Sequence, residues 1–367
     1  MRRVDPSVLW PAVLITGLMP LMAAIEPVLR YDHVVSGLDP WSVWPLTPGI
    51  VLVTLLAGWL YIAGQRHLVD AGNDRRGMMR HFAFFGGLAA LFLALQSPIE
   101  RISDHLFIVH QVEHMLLRTV APMLLVLSAP QAALLRGLPH WARRHVVAPL
   151  LGSRTFHALG ALGHPAAATA LFIGTTYFWM IPRYHDLAIL DEPVHYLWHT
   201  TLLLSGLIFF WRLLDPRPYP LGASLGARLF MFWLAAMGNI LLGSYLSFKS
   251  GVLYHAYDEM GRLWAISPLT DETIGGLTMW IPGSMMFAVT AMLMIHRWAR
   301  QEDRSAARRG NGSETMTVAE FLSRRRSANR KMAIGLLCFA ATVLAITFTT
   351  VVIYHDAAYH REFAPFN

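Results

Sequence analysis

The chain has 367 residues, 55% of them hydrophobic and only 14% charged, against about 25% charge in a soluble globular protein. A water-soluble fold is therefore excluded, and so much apolar and aromatic surface also excludes disorder. Its net charge of +7 would admit a nucleic-acid binder, so the placement of the positive residues has to decide that question.

Crossing a bilayer takes about 20 apolar residues. Runs of that length lie at 48–64, 81–97, 106–127, 165–182, 194–212, 228–247, 274–296 and 332–354, with an earlier one near 7–25. None alternates with period two, so the spans are read as helices. The expected fold is an all-α polytopic membrane bundle: a seven-span core over 48–296 and one C-terminal span. Residues 1–25 have the basic, apolar and small-residue layout of a signal peptide, Arg2-Arg3 through Ala23-Ala24, and read as that or as an additional first span. Residues 26–47 then form an outer segment, 297–331 a basic, flexible cytoplasmic linker, and 355–367 an outer tail. Twenty-one of the 30 Lys and Arg residues fall in loops on one side and six on the other. That asymmetry predicts which face is cytoplasmic, and with it a multi-pass inner-membrane protein whose C-terminus is outside. The positive charge is thus topology and lipid contact rather than a nucleic-acid surface.

Titratable groups inside a span are costly and mark function. The third span holds His110, Glu113, His114 and Arg118, and the fifth holds His195 and His199. A spacing of i, i+4 puts both rings of a pair on one helix face. Both spans run inward from the outer face, so the pairs sit at matched depth in the outer leaflet. A single pair could merely donate to backbone carbonyls. Two pairs at one depth point to a metal. His185, in the outer loop on the same side, is a further candidate ligand. With the single Cys338, no thiolate pair exists, so His, Met and carboxylates are the available ligands. Neutral imidazole suits copper, zinc, iron or nickel, and thioethers favour Cu(I); Met180 and Met279 stand near the outer ends of their spans. Arg118 needs a partner on another span, with Asn239 and Tyr177 as candidates. Asp271 either caps the seventh helix or belongs to an outward-facing cation site, while Gly275 and Gly276 permit close helix approach. A b-type haem or di-metal oxidase centre, or a metal transporter, would use the same histidines; the inner halves of these spans lack a matching relay of titratable groups, apart from Arg118.

The segments 110–130 (HQVEHMLLRTVAPMLLVLSAP), 177–211 (YFWMIPRYHDLAILDEPVHYLWHTTLLLSGLIFFW) and 267–283 (SPLTDETIGGLTMWIPG) resemble the bacterial CtaG family of cytochrome c oxidase assembly proteins. The resemblance covers about 40–300. It implies seven core spans and a non-enzymatic role in maturing haem-copper oxidases through copper handling. Oxidase subunits or copper chaperones are then the partners and copper the metal, with haem the alternative. Residue by residue, it assigns the metal to His110, His114, His195 and His199, and carries over Met279 with Trp280 and the outer Asp271. Glu113 and Glu272 stand where the family usually has Gln. Glu113 and Arg118 are expected to tune the site from behind the ligands. The eighth span, with His355 and His360, looks like an addition to this core.

Overall fold

The computed structural model describes residues 44–310, except 46, 71–76, 155–159, 216 and 218–221, together with Arg330. The expected N-terminal segment, the C-terminal span and the outer tail lie outside these residues. The described chain is helical, as expected. In order, it runs α1 (Pro48–Asp70), α2 (Met78–Gln96), α3 (Phe107–Met115), α4 (Ala121–Ser128), α5 (Gln131–Gly137), α6 (Pro165–Trp179), α7 (Pro182–Leu190), α8 (Glu192–Leu214), α9 (Leu225–Phe248), α10 (Ala256–Met260) and α11 (Pro268–Gly310).

Five of these, α1, α2, α8, α9 and the first 28 residues of α11, are long and apolar enough to cross a membrane. The third expected span is one rod, Phe107–Ser128, that bends by 76° into α5. The bend falls where Ala129 takes a left-handed conformation, φ 48°, ahead of Pro130. The fourth expected span departs from its predicted 165–182. It is a 15-residue helix, about 22 Å long at 1.5 Å per residue, because Pro182 disfavours a helical residue before it. The seventh departs in the other direction. α11 continues through 297–310 instead of giving way to a flexible linker, since this stretch is rich in Ala and Arg, both good helix formers, and holds no proline.

The rod from α3 to α4 contains Pro122, whose ring nitrogen cannot donate to the carbonyl of Arg118 four residues back. The chain absorbs the loss in a π-helical turn, Leu116–Val120, in which the Ala121 amide reaches the Leu116 carbonyl. The freed Arg118 carbonyl faces Gly206 of α8. A Cβ at Gly206 would stand 2.2 Å from that oxygen, so glycine sets how close the rod and α8 come. α8 lies innermost, with 72% of its membrane window enclosed, and it packs on α4, α6, α7 and the π-turn.

The helix ends on the side of the histidines are tied by two buried acids at the start of α11. Ser267 caps this helix. Asp271 instead reaches across to the start of α3, accepting from the Phe107 and Ile108 amides at 2.9 Å each while pairing with Arg262. The expectation that Asp271 caps its own helix is thereby corrected: it caps the histidine-bearing rod, where a negative charge complements the helix dipole. Glu272 pairs with Lys249 and accepts from the Leu253 and Tyr254 amides at 3.0 and 2.8 Å, fastening the loop between α9 and α10. Gly275 and Gly276 do allow close approach, the first to the Phe107 ring and the second to Ser247 and Gly243 of α9.

Candidate metal centre

His110 and His114 project from α3, and His195 and His199 from the first turns of α8. Within each pair the Nε2 atoms are 2.7 and 3.0 Å apart. Across the helices, the His110 and His195 ring centres are 5.3 Å apart and near parallel, and His114 meets His199 edge-on at 5.3 Å. His110, His195 and His199 each offer a ring nitrogen within 4.8 Å of the others'. His110, His114 and His199 are buried, and His195 is the partly open member. The four predicted imidazoles therefore share one pocket.

Trp198, wholly buried on α8, lies against His110 and His114 at 4.8 and 4.4 Å between ring centres. Two carboxylates flank the α8 pair. Glu113, wholly buried, lies 3.4 Å from His199 Nε2. Asp104 lies 3.7 Å from His195 Nδ1. Glu113 thus stands at the cluster itself rather than behind it, where a charged oxygen can share a cation with the imidazoles.

His185 does not join the four. Its Nδ1 lies 3.3 Å from the Trp179 carbonyl and its Nε2 2.9 Å from Tyr257 Oη, which is also 2.8 Å from His110 Nδ1. The direction of this chain follows from its fixed end. A carbonyl only accepts, so His185 donates from Nδ1 and accepts at Nε2 from the Tyr257 hydroxyl. The Tyr257 oxygen then accepts from His110 Nδ1–H, leaving His110 Nε2 with a lone pair facing the cluster. Burial supports this arrangement, pushing the His185 pKa down to about 3 and holding the Tyr257 phenol protonated. The expected ligand His185 therefore sits one bond back, where it orients His110 as outer partners orient metal-binding histidines. Replacing Tyr257 with Phe keeps the ring packing but frees the His110 tautomer. We expect metal affinity to fall about 10- to 100-fold, measured by competition with a chelator.

Tyr257, Asp104 and Trp198 carried no spacing signal in the sequence and were missed. Met279 and Met180 line a cavity beside His114, with the Met180 sulfur 3.6 Å from Tyr254 Oη. Arg118 turns to Phe172 of α6, donating to its carbonyl at 3.3 Å with the guanidinium 3.8 Å over its ring, and makes no hydrogen bond to Asn239 or Tyr177. Asn239 donates instead to the Met279 carbonyl, and Tyr177 to that of Gly238.

The family model described as cytochrome c oxidase caa3 assembly factor matches residues 59–301, two-thirds of the chain. The chain belongs to this assembly-factor family. That match spans all four histidines as well as Glu113, Tyr257 and Asp271. The chain is also 24% identical over 297 residues to an uncharacterized protein of Mycobacterium leprae, and 26% identical over 298 residues to uncharacterized proteins of Mycobacterium bovis and Mycobacterium tuberculosis. These alignments cover 79–80% of this chain but only 42–45% of the relatives, so the chain spans less than half the length of the relatives it matches. No solved structure matches it.

Proposed function

We propose that this multi-pass membrane protein serves the assembly of a caa3-type cytochrome c oxidase by holding copper as cargo at the histidine cluster and passing it on. The observation that carries this reading is the convergence of His110, His195 and His199 within 4.8 Å, with His114 at 2.7 Å from His110. Imidazoles with a nearby carboxylate and no thiolate hold copper without the grip of a cysteine cage, which suits a site that must release its metal. Tyr257 and His185 fix the His110 ring, Glu113 supplies counter-charge, and the partly open His195 is the side of entry and exit. The His110 and His195 rings, which face each other across the helices with centres 5.3 Å apart, leave no slot for a macrocycle between them, which weighs against haem. The cluster joins the outer ends of the helices, so oxidase subunits or a copper chaperone would meet the protein on the outer face of the inner membrane. No substrate is transformed in this role.

A strain lacking this gene tests the proposal. The wild-type chain is expected to restore oxidase activity and oxidase copper content. A His110→Ala, His199→Ala double variant, present in the membrane at the wild-type level, is expected to restore neither. Full restoration by the double variant would sink the proposal.

A further inference from the structure

Beside the histidine cluster, between the α3 rod, α6, α8, α9 and α11, lies a cavity of about 30 Å³. That is room for one or two particles of water size, each needing about 10–15 Å³. Its walls are mostly apolar, from Met115, Met180, Met279 and Phe287 among others, with Gln111, Arg118, Thr119, Thr176, Trp198 and Asn239 bringing polar groups to it. Gln111 Nε2 and Arg118 Nε are both buried and have no hydrogen-bond partner. Their residues are 3% and 7% exposed.

Arg118 is a cation at membrane depth. Among the described residues no carboxylate pairs with it; it donates to the Phe172 carbonyl and lies over the Phe172 ring, and neither carries a compensating charge. An uncompensated buried charge is costly, as is an unpaired buried donor. Both costs are relieved by one occupant that is small, monovalent, negative and accepts hydrogen bonds from several sides. A phosphate dianion would overbalance a single guanidinium, and a metal cation would be repelled by it. Water would satisfy the donors and leave the charge unmatched. We propose that the cavity binds a single small monovalent anion of the halide class, held between Arg118 and Gln111. Next to His114, the anion also offsets positive charge in the cluster, but the site itself does not depend on what the histidines bind.

The test uses the full chain, purified in detergent without added metal. Thermal unfolding is followed at constant ionic strength while sodium gluconate is exchanged for sodium bromide. The midpoint temperature is expected to rise with bromide and saturate, and crystals grown in bromide should show one anomalous peak in the cavity. Gln111→Leu keeps the guanidinium and removes one donor, so about tenfold more bromide should be needed for the same effect. Arg118→Gln should abolish the bromide dependence. Equal melting of the wild type in both salts, with no bromide peak, would mean the cavity holds water and would overturn the proposal. Wild-type bromide dependence in both variants would place the halide elsewhere and overturn it equally.

Discussion

Purified His110→Ala and His199→Ala proteins are expected to insert and fold but to lose copper affinity by at least about 100-fold, beyond the loss typical of an outer partner. Each replacement removes one of three nitrogens that converge within 4.8 Å, leaving too few donors to close a copper site. His199→Ala also leaves the buried Glu113 carboxylate without the imidazole 3.4 Å away. His114→Ala should cost less, because its Nε2 meets His110 but lies outside the converging set. Copper content after dialysis against a Cu(I) chelator measures this order, with circular dichroism as the check on folding. Copper retained at the wild-type level by both the His110 and His199 variants would remove these residues from the site.

Gly206→Val is expected to be the most destabilising single substitution near the site, by about 3 kcal/mol or more. The new Cβ would meet the Arg118 carbonyl at 2.2 Å and the Pro122 ring at 2.9 Å. Neither can move aside, since the first is backbone and the second a rigid ring in the rod. α8 must therefore back away from the rod, carrying His195 and His199 from His110 and His114. A lowered unfolding temperature and weakened copper binding should appear together. If stability falls while copper affinity holds, the close approach at Gly206 does not set the geometry of the cluster.

Some of this was legible in the chain and some was not, and the division follows local against long-range effects. The helical bundle, most of the core spans and the two histidine pairs were readable because apolar run length and i, i+4 spacing are local properties of one helix. The limits of α6 and α11 were misjudged because hydropathy sees neither the proline that stops one helix nor the helix-forming basic stretch that prolongs the other. Asp271 looked like a cap for its own helix, which its position in the first turn allows. That it caps α3 instead depends on how two helix ends meet, and no spacing encodes that. His185 carried the right chemistry and the right side of the membrane, but Tyr257 takes up its Nε2.

The sequence by itself determined that the chain is a membrane helix bundle with titratable groups placed near the same end of two spans, because the bilayer imposes length, polarity and periodicity on each helix separately. Only the tertiary structure decided that the four rings share a pocket, that Glu113 joins them, that Tyr257 fixes the face His110 presents, and that Arg118 lines a cavity without a carboxylate. Those are distances between helices, set by a proline-induced π-turn against one glycine and by acids reaching from α11 to its neighbours, and a helix read alone carries no record of its neighbour's position.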